Sequence, residues 1–124
     1  AVADFTPETI SGTKIKRGSG EMVIRLKPPE DIAALLGSRK KKHQFLVGFA
    51  LETNDEVSNA IDKLKRKNLD MIVLNSLRDE GAGFGHETNR ITIIDRNNNI
   101  DKFELKTKGE VASDILHKII SLLD

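Results

Sequence analysis

The chain contains no cysteine among its 124 residues. This absence excludes a thiol nucleophile, a thiolate metal site and any disulfide, and the lack of disulfides fits a reducing compartment. Apolar runs also stay far shorter than the roughly 20 residues that a membrane-spanning helix needs. No charged-then-apolar signal stands at the start of the chain. We therefore expect a cytoplasmic protein with no membrane partner.

The chain also has no excess of charge of one sign. It contains 20 Lys and Arg and 19 Asp and Glu, which gives a net charge of +1. The whole molecule therefore has no general attraction to nucleic acid, and any anion site must be local. The three histidines, His43, His86 and His117, show no ligand spacing, so the sequence predicts no metal held by the protein alone. The length fits one domain with a sizeable core.

Two apolar stretches, Phe45–Ala50 and Met71–Leu74, enclose an amphipathic segment. Strands that are apolar on both sides are typical of a sheet covered by helices on both faces. Thr53 followed by Glu56 is a capping box, which predicts a helix start just after the first strand. The helix has one apolar face, made by Val57, Ala60, Ile61 and Leu64. We interpret the whole as a β-α-β unit whose ligand crevice opens at residues 49–54.

Lys63 and Lys67 are four residues apart on this predicted helix and are therefore neighbours. Cations near a helix end suit the macrodipole and are otherwise solvated. Residue type alone leaves open whether the two lysines form a wet face or an anion site.

The segments on either side of this unit predict further elements. Lys14–Lys27 alternates around Gly18–Gly20 and predicts a β-hairpin. Pro29 suits the first position of a helix, whose buried face is predicted to contain Ile32, Leu35 and Leu36. The basic run Ser38–His43 has no interleaved aromatic residues and is interpreted as a solvated loop.

The C-terminal third predicts a second hairpin and a closing helix. Arg90–Asp95 and Ile100–Leu105 flank three asparagines, whose composition suits positive φ. Thr107 and Glu110 form a capping box. The apolar stripe of the helix that follows is formed by Val111, Ile115, Ile119 and Leu122.

Four motifs in order carry a resemblance to a known family. They are Ala-Val-Ala-Asp-Phe-Thr-Pro at 1–7, Lys-Ile-Lys-Arg at 14–17, Gly-Phe-Ala-x-Glu-Thr at 48–53, and Lys-x-x-x-Lys-Asn-Leu-Asp at 63–70. In this order and spacing the chain resembles phosphopantothenoylcysteine synthetase, the phosphopantothenate-cysteine ligase of coenzyme A synthesis. The resemblance implies an open, mostly parallel, Rossmann-like α/β sheet with helices on both faces. It also implies that residues 1–124 are one domain, the C-terminal portion of the synthetase domain, whose N-terminal half with its Gly-Gly-Thr segment is absent.

The activity implied by the resemblance joins 4'-phosphopantothenate to cysteine. In the bacterial enzymes CTP and Mg²⁺ drive the reaction through an acyl-cytidylate, whereas eukaryotic enzymes use ATP. FMN is implied only where a decarboxylase domain is fused. The resemblance further implies a homodimer that forms through the Lys14–Lys27 hairpin, and no nucleic-acid partner.

Site residues are carried over by matching positions. The catalytic and phosphate-binding lysine is Lys14, and Arg17 stands where the family has a lysine. The turn that contacts the nucleotide has one extra residue here. The nucleotide-binding residues implied by the resemblance are Asp4, Lys14, Pro29, Glu30, Asp31, Ile32, Phe49, Lys63 and Lys67. Gly83, Phe84 and Asn89 match a further family segment to which we assign no chemical step.

Two interpretations from other classes stay open at this point. One is a Rossmann-like regulatory or redox domain that binds a nucleotide without ligase activity. It is disfavoured because no Gly-x-Gly-x-x-Gly opens a helix. The other is a non-catalytic interaction module that binds through Ser38–His43.

Overall fold

A computed structural model of the chain describes residues 3–52, 54–76 and 87–123. The chain forms two compact units, Ala1–Ile32 and Ala33–Asp124. Its helices are α1 (Ile32–Arg39), α2 (Glu56–Arg66) and α3 (Lys108–Leu123). The strands are β1 (Thr6–Pro7), β2 (Leu26–Lys27), β3 (Val47–Glu52), β4 (Met71–Ser76), β5 (Thr88–Asn89), β6 (Ile91–Asp95), β7 (Ile100–Lys102) and β8 (Lys106–Thr107). None of the helices in the described ranges is both long and apolar enough to cross a membrane.

The first unit contains a short antiparallel pair instead of the predicted hairpin. Strand β1 pairs with β2, with Thr6 opposite Lys27. Residues 14–25 form no strand, so the Lys14–Lys27 hairpin is not present. Its apolar side chains, including Met22 and Ile24, are exposed. An isolated two-stranded ribbon is marginal in water because nothing covers its apolar face, which explains why alternation alone did not produce a hairpin here.

Helix α1 begins later than its sequence predicts. Its first residue is Ile32, so Pro29 does not start the helix and both Glu30 and Asp31 precede it. Ile32 and Leu36 are exposed, and the buried residue of the helix is Gly37. The predicted apolar face was wrong because this eight-residue helix packs through a close main-chain approach rather than through its largest side chains.

The predicted β-α-β unit is confirmed. Strands β3 and β4 are parallel, with Val47 opposite Met71 and Glu52 opposite Ser76, and α2 connects them. Helix α2 begins at Glu56, directly after Asp55, which has a left-handed backbone with φ of 44°. This start lies two residues beyond the one that a cap at Thr53 implies, and Thr53 itself is outside the described residues.

The sheet of the second unit has the order β3-β4-β6-β7. Only its β3–β4 pairing is parallel, because β4–β6 and β6–β7 are both antiparallel. The expectation of a mostly parallel sheet is therefore wrong for these described strands, and the fold is a mixed α/β domain. The predicted C-terminal hairpin is confirmed as β6 and β7, and Asn98 in its turn has φ of 62°.

Helices cover both faces of this sheet, as predicted. Ile72 and Leu74 of β4 pack on one face with Ala60 and Leu64 of α2. The alternate residues Met71 and Val73 pack on the other face. Their neighbours there include the predicted stripe of α3, namely Val111, Ile115, Ile119 and Leu122. Because successive side chains of a strand point to opposite faces, a continuous apolar run in β4 serves two cores.

The start of α3 is fixed by the predicted capping box. The Thr107 backbone N–H donates to Glu110 Oε2 at 2.9 Å, and the Glu110 N–H donates to Thr107 Oγ1 at 3.3 Å. The Thr107 hydroxyl donates to the same carboxylate at 2.7 Å. These hydrogen bonds lower the pKa of Glu110 below its ordinary value.

Asp95 ties the β6–β7 turn to α3. Its buried carboxylate accepts the backbone N–H groups of Asn97 and Asn99, at 2.9 and 3.0 Å, and lies 3.5 Å from the Lys118 ammonium. Burial raises the pKa of Asp95, but its hydrogen bonds with Asn99 and Asn97 and the nearby Lys118 charge outweigh that effect and hold it below the usual range. Lys118 also contacts Asp101 at 2.7 Å, a hydrogen bond that raises the pKa of Lys118.

Gly37 lies where α1 meets the chain that leaves α2. A Cβ at this position would stand 1.8 Å from the Lys67 carbonyl oxygen. The Asn68 side-chain amide donates to the Gly37 carbonyl at 2.8 Å, and Asn68 itself has φ of 50°. The two segments therefore approach at a distance that only glycine permits.

We expect Gly37→Ala to lower the free energy of unfolding by about 1–3 kcal/mol, the usual cost of overpacking. The oxygen in the way belongs to the main chain and cannot rotate aside. The matched control is Gly109→Ala in α3, where an added Cβ meets nothing within 4 Å, so that α3 should be slightly stabilised. Urea unfolding measures both, and equal stability of the two variants would contradict the packing described.

Candidate functional site

Glu52 and Lys63 meet at the C-terminal end of β3. The Lys63 ammonium forms a close ion pair and hydrogen bond with Glu52 Oε1. The Glu52 side chain is 13% exposed and that of Lys63 is 37% exposed. A cation from α2 is therefore held beside the strand end where ligands of open α/β sheets bind.

Phe49 lies on the opposite face of the same strand. Ala50 packs with α2 and Val47 packs with the α3 core. Alternation along β3 then puts Glu52 on the α2 side and Phe49 on the α3 side. Phe49 is 68% exposed, and β3 is one of the two outer strands of the four-stranded sheet. A ligand touching both Phe49 and Lys63 must therefore pass around the edge or the C-terminal end of β3.

Lys67 follows the last residue of α2. Its backbone N–H donates to the Lys63 carbonyl at 3.0 Å, so the two lysines are one helical turn apart. This places the Lys67 main chain about 6 Å further along the helix axis from the helix start. Its carbonyl oxygen is the group that closes on Gly37. Lys63 and Lys67 are therefore adjacent on the helix. The main chain of Lys67 packs against Gly37 of α1.

The remaining carried-over residues belong to the first unit. Asp4, Lys14, Glu30 and Asp31 are exposed there, and Pro29 is half-buried. Ile32 is exposed at the first position of α1. The convergence of Lys14 with the two lysines of α2 stays a prediction.

Asp70 forms a second cluster of charges, which the sequence did not predict. It is 1% exposed, and its Oδ2 accepts the Leu46 backbone N–H at 2.7 Å. The Lys40 ammonium lies 2.8 Å from the same oxygen, and Arg96 forms a close ion pair with Oδ1. The Asp70 main chain donates to Leu46 O and accepts from Arg96 N–H, at 2.9 and 3.0 Å. The cluster joins three connections at the N-terminal ends of β3 and β4.

Lys40 corrects the interpretation of the basic run. Its ammonium also donates to the Asn68 carbonyl at 2.9 Å, and its side chain is largely buried. Residues 41–43 are exposed as a solvated loop should be, and Ser38 and Arg39 belong to α1. One of the basic residues is thus structural, although the run as a whole is exposed.

Only part of this cluster has a signal in the sequence. Asp70 stands directly before a strand that is apolar on both faces, a position that indicates a buried and paired carboxylate. Lys40 and Arg96 are 30 and 26 positions from Asp70 and have no local pattern that marks them as its partners.

Asn89 can be placed, whereas Gly83 and Phe84 lie outside the described residues. The Asn89 side-chain amide donates to Asn75 Oδ1 at 2.6 Å. Its own Oδ1 accepts the Arg90 N–H at 3.0 Å. Asn89 thereby joins the chain entering β6 to the end of β4.

Taken together, the second unit is a mixed α/β domain with paired charges at both ends of its sheet. A comparison with protein families identifies the family to which the whole chain belongs. Residues 1–123 match the model of the DNA/pantothenate metabolism flavoprotein C-terminal domain. The chain belongs to this family, and it is homologous to the phosphopantothenoylcysteine synthetase domain of the CoaBC proteins.

Relatives include proteins with two different activities. Over 123 residues the chain is 78% identical to a cysteine/cysteine sulfinic acid decarboxylase from an unknown prokaryotic organism, covering 99% of this chain and 34% of the relative. Over 122 residues it is 45% identical to the coenzyme A biosynthesis bifunctional protein CoaBC of Bacillus subtilis strain 168, covering 98% of this chain and 30% of the relative. The chain thus spans about a third of these curated relatives.

A solved structure has the same fold. The crystal structure of the C-terminal domain of coenzyme A biosynthesis bifunctional protein CoaBC superposes with a TM-score of 0.75 at 34% identity. The match covers 98% of this chain and 50% of that one.

Asp70→Asn should lower the free energy of unfolding by about 3 kcal/mol, because removing one member of a buried ion pair leaves its partner uncompensated. Asp62→Asn, an exposed position on α2, is the matched loss of a carboxylate and should change stability by less than about 0.5 kcal/mol. Urea unfolding of both variants is the measurement. A D70N protein as stable as D62N would show that the cluster does not hold these connections together.

Proposed function

We propose that this chain is the nucleotide-binding part of a ligase that joins 4'-phosphopantothenate to cysteine in coenzyme A biosynthesis, with CTP as the energy source. The observation that carries the proposal is the family match over residues 1–123, which brings with it homology to the synthetase domain. The 45% identity to a CoaBC protein supports the same pathway.

The proposed reaction has two steps. The carboxylate of 4'-phosphopantothenate attacks the α-phosphorus of CTP, forming the acyl-cytidylate and releasing pyrophosphate. The cysteine amine then attacks the acyl carbon, and an amide bond forms as CMP leaves. Both steps need charge neutralisation and alignment more than covalent help from side chains.

Three lysines are suited to the triphosphate. Lys63 supports this role because its ammonium already lies at the C-terminal end of β3. Lys67 is its neighbour on the helix, and Lys14 is proposed as the third cation and the one required for turnover. Asp4 is carried over to the same nucleotide site.

Mg²⁺ is proposed to enter as part of the nucleotide substrate. Within the described ranges, no cluster of three or more carboxylate or histidine side chains could hold a metal. Mg²⁺ that binds with a nucleotide is usually held by few protein groups together with substrate phosphates.

Base selection is proposed to involve Phe49 and the turn from Pro29 to Ile32. Phe49 offers an exposed ring at the edge strand of the sheet. Polar groups shaped for a pyrimidine edge would be left unpaired by a purine, which gives strong discrimination.

A second candidate is suggested by the relative that is 78% identical and is a cysteine/cysteine sulfinic acid decarboxylase. In that case the domain belongs to a protein that removes carbon dioxide from a cysteine-type amino acid. The two candidates differ in their products, so one set of assays separates them.

We expect the intact protein to form phosphopantothenoylcysteine faster with CTP than with ATP. Lys14→Gln should abolish most turnover without unfolding, and Lys63→Met should weaken CTP binding by about tenfold or more, since hydrogen bonds to charged groups contribute strongly. The control is Lys65→Met, an exposed position on the same helix.

Mass spectrometry of the amide product, pyrophosphate release and carbon dioxide release form the readout. Equal rates with ATP and CTP would reject the CTP preference but would leave the ligase proposal standing. Carbon dioxide from cysteine or cysteine sulfinic acid without amide product would replace the ligase by the second candidate.

We further propose that a second copy of the chain covers the exposed apolar side chains of residues 14–27. Ile15, Met22, Val23 and Ile24 are all exposed in the described chain, an arrangement that favours a partner surface. Sedimentation should show a homodimer at micromolar concentration. Met22→Lys should shift it towards monomer, whereas Arg25→Lys should not. A wild-type monomer under these conditions would overturn the dimer.

A further inference from the structure

Glu52 is a charged residue at the site to which no role has been given. It is the last residue of β3 and lies on the α2 side of the sheet. Only 13% of its side chain is exposed. Its Oε1 holds the ammonium of Lys63, which is the more exposed partner. The pair links the strand end to the helix across the crevice side of the β-α-β unit.

We propose that Glu52 is a positioning residue that holds Lys63 ready for a nucleoside triphosphate. The inference rests on the proposed function, because Lys63 must itself contact the phosphates. Glu52 is not proposed to touch the reacting atoms.

The chemistry of lysine is the reason that such a residue is useful. A free lysine side chain has four flexible bonds, and ordering it on ligand binding costs free energy. An ammonium has three N–H donors and Glu52 Oε1 uses one of them. Among the residues that the structure describes, Glu52 is the partner of this ammonium, and the other two donors can reach phosphate oxygens without releasing the carboxylate.

The negative charge of Glu52 also acts directly on the nucleotide, because a carboxylate repels a phosphate anion. If Glu52 only neutralised Lys63, it would repel the phosphates, and its removal would tighten nucleotide binding. Positioning and neutralisation therefore predict changes of opposite sign. The burial of Glu52 favours positioning, because a largely covered carboxylate is itself held in one place.

The test measures binding of CTP with Mg²⁺ to the intact protein by isothermal titration calorimetry. Glu52→Gln should weaken binding by about two- to tenfold, the range expected for ordering one long side chain. Asp62→Asn, which removes the neighbouring exposed carboxylate of α2, is the matched control and should leave affinity unchanged. In turnover, E52Q should raise KM for CTP more than it lowers kcat.

Glu52→Asp provides a second variant with the same charge. It withdraws the carboxylate by one methylene group, so it should weaken binding in the same direction. Affinity that is unchanged or higher in both E52Q and E52D overturns the positioning role.

The background of Lys63→Met separates positioning from a merely structural role. With Lys63 absent, E52Q should cause no further loss of CTP affinity, whereas a general structural defect would weaken both backgrounds equally. Weakening by E52Q in the K63M background therefore overturns the inference. If K63M alone leaves CTP binding intact, the proposed function fails at this residue, and that result is distinct from a failure of E52Q in a protein where K63M does weaken binding.

Discussion

The carboxylate of Asp70 is the constraint on which the second unit depends. It is buried at the start of β4, where it accepts from the main chain before β3 and pairs with cations from the α1–β3 connection and from the β6–β7 turn. A buried charge with this many partners is costly to leave uncompensated. Three connections that are distant in sequence must therefore close together around one residue.

This arrangement divides the sheet into two chemically different ends. At the N-terminal ends of β3 and β4 the charges of Asp70 and Lys40 are buried against each other. At the C-terminal end of β3 the Glu52–Lys63 pair leaves more of its cation exposed. The first end supplies rigidity, and the second retains donors for an anion. The exposed Phe49 lies on the other face of the same strand.

Local pattern was sufficient for the strands and helix of the β-α-β unit, the β6–β7 hairpin and the Thr107–Glu110 cap, because apolar periodicity, turn composition and capping residues are all short-range signals. It was insufficient for α1, whose burial depends on a main-chain oxygen of Lys67, about thirty residues later. Of the alternating residues 21–27, only Leu26 and Lys27 form a strand, which pairs with β1 instead of with residues 14–17. The antiparallel β4–β6 pairing also has no local signature, since adjacent strand direction is decided by the connection between them.

The site residues also divide into those that local spacing identifies and those whose partners are distant in sequence. Lys63 and Lys67 were identified as neighbours from helical spacing, and the structure has them one turn apart. Glu52 was part of a quoted motif, yet its partner is eleven residues away on another element. Lys40 and Arg96 both pair with Asp70, from which they are far away in sequence, so their roles emerge only once the fold brings these residues together.

The contact at Gly37 has an evolutionary consequence. Most tight contacts join two side chains, so a larger residue on one side can be offset by a smaller one on the other. Here the opposing atom is the carbonyl oxygen of Lys67, which every amino acid possesses. No substitution at position 67 can make room, and position 37 should therefore remain glycine in related sequences without any covarying partner to reveal the contact.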